Sequence, residues 1–169
     1  YTSLSSAASD VYKRQQLDAS QPAMYVGNHS LYGVLDSPML IDYLYNEHQV
    51  AVVSIADHSH FYLPLWRSVV KKFGAVDGVP VYVREAMQQG YSILVFPGGG
   101  REVLKREGEQ YHLIWKQRYG FLKLAQEFGY DIVPFAALGG DEVFDIGFDA
   151  NKVVQHQYFQ KLLQVPQLS

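Results

Sequence analysis

The stretch AMYVGNHSLYGVLDSPML, residues 23–40, contains a complete transition from strand through loop to helix. Its first five residues are an apolar run of the kind found in buried strands. Ser37 followed by Pro38 predicts a helix start, with a capping side chain and a proline at the first helical position. Apolar residues then recur on one helical face. A strand that leads through a loop into a helix is the unit from which α/β folds are built.

The same alternation continues along the chain. Further apolar runs predict strands at Val50–Ile55, Ser92–Phe96 and Asp131–Leu138. Apolar spacing predicts helices at Leu65–Phe73, Val81–Gln89 and Phe121–Phe128, the last two followed by Gly90 and Gly129 as C-caps. Pro134 limits the last strand to a sheet edge or an irregular pairing, because proline has no N–H to donate. The sequence therefore predicts an α/β fold with a mostly parallel central sheet flanked by helices.

Composition limits the classes of function. The 169 residues are 48% hydrophobic, which fits one domain with a sizeable core. A formal net charge of -3 gives no reason to expect nucleic acid as the main partner. Cysteine is absent, which excludes thiolate catalysis and cysteine-ligated zinc. No apolar run has the ~18 residues that a membrane-spanning helix needs.

The first fifteen residues, YTSLSSAASDVYKRQ, match a translated sequencing adapter in their DVYKRQ segment. We therefore expect residues 1–15 to be an assembly artefact and residues 16–169 to form a single domain. On this interpretation the natural N-terminus is missing, together with any membrane anchor located there. The end of the chain, VPQLS, is also consistent with truncation.

His29 and Asp36 each have two interpretations. His29 follows a predicted strand, where α/β sheets place ligands, and it is either a general base or a loop histidine. Asp36 is either its orienting carboxylate or an ordinary helix cap. In a continuous helix, residues seven apart are separated by about 10 Å along the axis. A hydrogen-bonded pair therefore requires a loop between them that folds back, which Gly33 favours.

A glycine-rich segment, FPGGGRE, follows the predicted strand at residues 92–96. Its three glycines allow backbone N–H groups to approach an anion, and Arg101 offers a bidentate contact to phosphate. The alternative is a tight turn with a surface arginine. The segment is neither a Walker loop nor a GxGxxG fingerprint, and the chain has no GxSxG nucleophile elbow.

The segment Asp57–His60, DHSH, contains residue types that bind metals. Two histidines spaced by two positions with one aspartate lack a third placed ligand. A solvated or substrate-lining loop is the stronger interpretation, and we expect no metal site.

Together and in order, these motifs resemble those of the glycerolipid and lysophospholipid acyltransferase family. NHSLYGVLDSPML is similar to the family's first motif, Asn-His, four residues, then Asp, with two extra residues. FGAVDG, FPGGGRE and Ile132–Pro134 are similar to the second, third and fourth motifs. The resemblance covers residues 23–144. The glycine-rich third motif, with Tyr111 and Trp115 downstream, is most similar to the branch of the plastid phytyl ester synthases and their animal neutral-lipid relatives.

The resemblance implies a glycerol-3-phosphate acyltransferase-like fold and an O-acyltransferase that moves a fatty acyl group to a lipid hydroxyl. It implies that His29 is the general base and Asp36 its orienter. The substrate-binding residues that it implies are Asn28, Gly98, Gly99, Gly100, Arg101 and Glu102. It implies acyl-CoA or acyl-carrier protein as co-substrate, with no cofactor and no metal.

Two departures from the family pattern concern the acceptor. Gly98 replaces the third-motif glutamate, and the second block lacks the arginine that meets phosphate-bearing acceptors. Both favour a neutral alcohol such as mono- or diacylglycerol or a long-chain alcohol. Lipid substrates imply association with a membrane surface, on its cytoplasmic face, and exposed apolar residues at 61–66 (Phe61, Tyr62, Leu63, Leu65 and Trp66) form either an interfacial patch or part of the core. The alternatives are a thioesterase or lipid hydrolase with the same base, and a non-catalytic acyl-lipid-binding module.

Overall fold

Five strands form one parallel sheet in the computed structural model, which describes residues 19–33, 36–62 and 64–142. The predicted adapter segment at residues 1–15 lies outside the described residues. The strands are β1 (Ala23–Gly27), β2 (Val52–Ala56), β3 (Ala75–Asp77), β4 (Ser92–Val95) and β5 (Asp131–Phe135). The α-helices are α1 (Asp36–His48), α2 (Pro64–Lys72), α3 (Pro80–Gln88), α4 (Gly99–Val103) and α5 (Gly120–Phe128). Short 3-10 turns occupy Leu31–Gly33, His58–Phe61 and Gly140–Glu142.

The strand order is β3-β2-β4-β1-β5, and every pairing is parallel. β1 lies between β4 and β5, with Met24 opposite Ile93 on one side and Val26 opposite Pro134 on the other. β5 is an edge strand. The missing N–H of Pro134 therefore leaves no carbonyl of a further strand without its donor. The predicted α/β class, the parallel sheet and the edge position of Pro134 are confirmed.

The core has two halves, one on each face of the sheet. Met24, Ile93 and Val95 pack with side chains of α3 and α5 on one face. Tyr25 and Leu94 point to the other face, where α1 covers them through Leu44. Successive strand residues point to opposite faces, so both need apolar cover. This two-sided burial explains why the central strands are continuous apolar runs in the sequence.

The structure differs from the sequence prediction at three elements. α1 begins at Asp36, one residue before the predicted Ser37 cap. β3 was not predicted, because three residues are too few to show a strand period. α4 was not predicted, because consecutive glycines disfavour a helix, and its segment was interpreted as an anion-binding loop or a tight turn. β2 and β5 are present with shifted ends.

The carboxyl ends of β1 and β4 lie side by side, and the loops that leave them carry the first and third motifs. Ligands of open α/β sheets bind at this edge. Among the described residues, no helix has the length and apolar character required to cross a bilayer.

Candidate active site

The hydrogen bond that a His–Asp pair requires is formed. His29 Nδ1 lies 2.7 Å from Asp36 Oδ2. The loop between them does not continue as a helix, because it turns through Leu31–Gly33 with positive φ at both Tyr32 (62°) and Gly33 (61°). This left-handed stretch turns the chain back, so that the first residue of α1 faces the imidazole.

The Asp36 carboxylate serves both of its predicted partners with different oxygens. Oδ2 accepts from His29 and from the backbone N–H and hydroxyl of Ser30, at 2.6 and 3.0 Å. Oδ1 accepts the N–H of Ser37 at 2.7 Å, one of the orphan donors at the start of α1. Helix capping and histidine orientation therefore occur together on one side chain.

The pKa of Asp36 is lowered from its ordinary value. Burial raises the pKa. This effect is outweighed by the hydrogen bonds from His29, Ser30 and Ser37 and by the charge of His29, which lower the pKa. The carboxylate is therefore ionised at neutral pH and holds the hydrogen of the imidazole on Nδ1. Nε2 of a neutral His29 is then a free proton acceptor.

Two neighbours fix the plane of the imidazole. The ring of Phe96 stacks on it, with centroids 3.9 Å apart and planes 10° apart. Gly33 lies against its edge, where an added Cβ would come 2.5 Å from Cε1 and 2.9 Å from Nε2. Glycine is favoured here both by the positive φ and by the lack of space for a side chain beside Cε1 and Nε2.

Buried charged side chains form hydrogen bonds with the backbone of the loop that carries His29. Glu102, which is fully buried, accepts the N–H of His29 at 3.0 Å and that of Ile114 at 3.3 Å. Lys105 donates to the carbonyl of His29 at 3.1 Å and to Asp141 Oδ2 at 2.7 Å. The side chains of this ion pair are 2% and 4% exposed.

Asp141 completes this support. Its carboxylate accepts the N–H of Leu31 at 2.7 Å and that of Tyr111 at 2.9 Å. Burial raises the pKa of Asp141. Hydrogen bonds from Lys105 and from these two N–H groups lower it by more, so the pKa lies below its ordinary value. We call Glu102, Lys105 and Asp141 the loop support. Lys105 and Asp141 were not predicted as site residues, because nothing local in the sequence distinguishes them from surface charges.

The predicted substrate-binding residues divide into three positions. Asn28 forms two hydrogen bonds with the backbone of Ala137, at 2.7 and 2.9 Å, and so ties β1 to the segment after β5. Glycines 98–100 form the start of α4 beside the histidine loop. Glu102 is buried and accepts backbone N–H groups, so it positions the loop that carries His29.

Gly98 explains how Glu102 fits. A Cβ at position 98 would lie 2.3 Å from Glu102 Oε2 and 2.4 Å from its Cβ. The Glu102 side chain therefore fills the space that a side chain at position 98 would need. The third motif therefore has no carboxylate at position 98, but the carboxylate of Glu102, four residues later, lies in the neighbouring space.

Arg101 is engaged within the chain. Its guanidinium donates to both carboxylate oxygens of Glu109, at 2.6 and 2.8 Å, and to the carbonyl of Leu104. A phosphate contact would have to replace Glu109. Arg118, which the sequence analysis did not single out, donates to the carbonyls of Pro97 and Gly98 at 3.2 and 2.8 Å.

An open pocket of about 530 Å³ lies at the carboxyl ends of β2, β3 and β4. Phe96, whose ring stacks on His29, forms one wall, and Phe121 and Arg118 form others. A second His–Asp pair lines it, with His58 Nδ1 2.5 Å from Asp77 Oδ2. Asp77 Oδ1 is buried and has no hydrogen-bond partner among the described residues. The pocket is therefore mainly apolar with a few polar groups.

The side chains of the DHSH segment bond in different directions. Asp57 caps its own turn through Ser59 N, and His60 accepts from the indole of Trp66. Within the described ranges, no group of three or more His, Asp or Glu side chains is arranged to hold a metal ion.

Comparison with known proteins identifies the family. The model of the acyltransferase family matches residues 8–137. Phytyl ester synthase 2, chloroplastic, of Arabidopsis thaliana is 34% identical over 143 residues, which are 80% of this chain and 20% of that protein. The "DGAT1/2-independent enzyme synthesizing storage lipids" of Bos taurus is 31% identical over 99 residues, 53% of this chain and 29% of that protein.

Diacylglycerol O-acyltransferase 1 of Schizosaccharomyces pombe is 29% identical over 109 residues, 63% of this chain and 31% of that protein. No solved structure matches the chain. The chain spans about a fifth of the length of the plant relative and under a third of the other two. The predicted family is confirmed: the chain belongs to the acyltransferase family, and its similarity to proteins named phytyl ester synthase and diacylglycerol O-acyltransferase agrees with the predicted branch.

Proposed function

We propose that the chain transfers a fatty acyl group from an acyl thioester to a lipid hydroxyl, with His29 as general base and Asp36 as its orienter. The single observation that carries this proposal is the 2.7 Å bond between Nδ1 of the partly exposed His29 and Asp36 Oδ2. Membership of the acyltransferase family supports the reaction class.

In this mechanism Nε2 of His29 takes the proton of the acceptor hydroxyl as its oxygen attacks the thioester carbonyl. The tetrahedral intermediate collapses with cleavage of the C–S bond. The departing thiolate receives the proton from the imidazolium, so the products are an ester and a free thiol. Ionised Asp36 stabilises the imidazolium during the reaction and keeps the ring in the required tautomer. Neither a covalent acyl-enzyme nor a metal is needed.

The acyl donor is acyl-CoA or acyl-carrier protein, with no further cofactor. Both carry a phosphate on the pantetheine arm, and glycines 98–100 with Arg101 are proposed to hold a substrate phosphate. Arg101 must then exchange Glu109 for the phosphate. Asn28 and Glu102 contribute by fixing the backbone around this group.

The acceptor is a neutral lipid alcohol such as mono- or diacylglycerol or a long-chain alcohol. The second motif, residues 73–78, lacks the arginine that meets phosphate-bearing acceptors, and the pocket beside Phe96 is largely apolar with a volume suited to a lipid chain. The relatives named as phytyl ester synthase and diacylglycerol O-acyltransferase are consistent with ester formation on such alcohols. We also propose that the chain meets its lipid acceptor and acyl donor at a membrane surface, on the cytoplasmic face.

The test is acyl transfer by the 169-residue chain, with labelled acyl-CoA and a panel of lipid alcohols. His29→Ala is expected to lower ester formation by roughly 10²- to 10⁴-fold, the usual contribution of a general base. His48→Ala is the matched control, because His48 lies at the far end of α1 and bonds Tyr43. Ester formation by His29→Ala at the rate of the control would disprove the mechanism.

Hydrolysis is the second candidate function, because the His29 side chain is 17% exposed and water can reach it. The same assay separates the two activities. Fatty acid release that added lipid alcohol does not suppress would identify a thioesterase or lipid esterase. The third alternative, a non-catalytic lipid-binding module, assumed that the long first motif does not form the His29–Asp36 pair. The pair is formed, so this alternative has no structural support.

A further inference from the structure

Helix α2 and the residue that follows it carry an apolar surface that faces solvent. Leu65 is 87% exposed, Phe73 is 68% exposed, and Trp66 and Val69 are also exposed. Within α2, whose residues are all described, Val70 alone is half-buried and no residue is buried. Tyr62, 71% exposed, extends this surface on the N-terminal side. We call Tyr62, Leu65, Trp66, Val69 and Phe73 the α2 patch.

The patch is a continuous stripe. At 100° per residue, Leu65, Val69 and Trp66 fall within an arc of about 100° on the helix, and Phe73 continues the same arc. An exposed apolar stripe of this kind marks an interaction surface. Phe61 does not belong to it, since its side chain is half-buried, and Leu63 lies outside the described residues.

One cation borders the stripe: Lys72 lies about 20° from Leu65 around the helix, whereas Arg67 and Lys71 lie on the opposite side of the helix. Arg67, Lys71 and Lys72 are exposed on α2, and residues 58–74 contain no aspartate or glutamate. None of the ion pairs between described residues uses these three cations. The formal net charge of the whole chain is -3, whereas this segment carries three cations and no carboxylate side chain. Such a face complements an anionic lipid surface, which offers acyl chains below and negative headgroups around them.

The patch adjoins the pocket. The ring of Tyr62 packs edge-on against His58, with centroids 4.9 Å apart, and His58 lines the pocket. Trp66 donates to His60 Nδ1 at 2.8 Å in the turn that leads into α2. A surface that rests on the patch therefore lies beside the pocket.

We infer that the α2 patch docks on a bilayer surface containing anionic lipids. Leu65, Val69 and Phe73 enter the boundary between headgroups and acyl chains. Trp66 lies at headgroup depth, while Lys72, which borders the stripe, contacts a lipid phosphate. This docking extends the proposed function, which requires a membrane surface without naming the face that meets it. It does not depend on turnover, so it is measured without substrate.

The first experiment is flotation of the 169-residue chain with vesicles of phosphatidylcholine alone or of phosphatidylcholine with phosphatidylglycerol. Wild type is expected to bind the anionic vesicles more tightly, and Lys72→Gln should weaken that binding about fivefold. Lys71→Gln, on the opposite side of the helix, should weaken it less. Leu65→Ser with Phe73→Ser should weaken it by at least about tenfold. Met39→Ser with Leu122→Ser is the matched control, which removes two exposed apolar side chains from α1 and α5.

The second experiment is independent of whether the patch variants fold. Trp115→Phe leaves Trp66 as the single tryptophan. Brominated lipids are then expected to quench the Trp66 emission of bound protein and shift its maximum to shorter wavelength. The inference is overturned if the chain does not bind anionic vesicles, or if bound Trp66 is not quenched. It is also overturned if the control pair weakens binding as much as the patch pair, or if the face is covered in a dimer of the chain. Failure of acyl transfer in detergent would count against the proposed function and leave docking unaffected.

Discussion

Replacement of Lys105 by methionine tests whether the loop support stabilises the site. The change removes a buried ammonium and leaves Asp141, 4% exposed, with two backbone N–H donors and no cation. Breaking a buried pair on one side typically costs about 3–5 kcal/mol. The remaining N–H donors place the expected cost near the lower value, about 3 kcal/mol. For a domain of this size that lowers Tm by roughly 6–12 °C.

The assay is thermal and urea unfolding of a double-mutant cycle. Lys105→Met with Asp141→Asn removes both charges and is expected to recover much of the stability lost by Lys105→Met alone. Arg84→Met is the matched control, because the Arg84–Glu127 pair is solvent-exposed and its loss should leave Tm close to wild type. If Lys105→Met shifts Tm no more than Arg84→Met, the loop support contributes little stability and the reasoning from burial is wrong.

Three further changes test the geometry around His29. Gly33→Ala places a Cβ 2.5 Å from the imidazole at a positive φ, and should lower kcat about 100-fold in the acyl-transfer assay; an unchanged kcat would contradict the close approach. Gly98→Ala forces Glu102 to move and should cost about 1–3 kcal/mol in urea unfolding, whereas Gly120→Ala, where an added Cβ meets nothing, serves as the control. The lowered pKa of Asp141 adds stability that is complete above its ordinary value of 3.8 and is lost as the pH falls through the folded value. Asp141→Asn should therefore flatten the fall of the urea midpoint below about pH 4, and an equally steep fall would refute this assignment.

The sheet was predictable because its central strands are buried on both faces. Continuous apolar runs marked β1, β2 and β4, and Pro134 identified an edge strand before its position was known. Helix α5 was predicted from its apolar spacing and from Gly129, which adopts the left-handed C-cap conformation. These signals are local, so a single sequence contains them.

The loop support was not predictable for the opposite reason. Glu102 and Lys105 meet the His29 backbone across more than 70 positions, and Asp141 meets Leu31 across 110. A buried charge and an exposed one have the same letter in a sequence, and only the fold decides which residues lose their water. The same holds for Arg101: its place beside three glycines predicted an anion contact, but nothing local indicated that its guanidinium bonds the carboxylate of Glu109.

The question whether Asp36 is a cap or an orienter assumed that the roles compete, and the geometry removes that assumption. A carboxylate has two oxygens, and here one accepts the first-turn N–H of α1 while the other accepts His29 and Ser30. The helix start thus fixes the carboxylate that fixes the imidazole, which makes the long loop compatible with a rigid pair. Asp36→Asn is the sharpest probe of this coupling, because an amide presents one acceptor and one donor to two sets of N–H groups. Either orientation of the amide opposes a donor with a donor, so the variant should lose both activity and stability. Loss of activity with unchanged Tm would show that the cap and the orienter are separable after all.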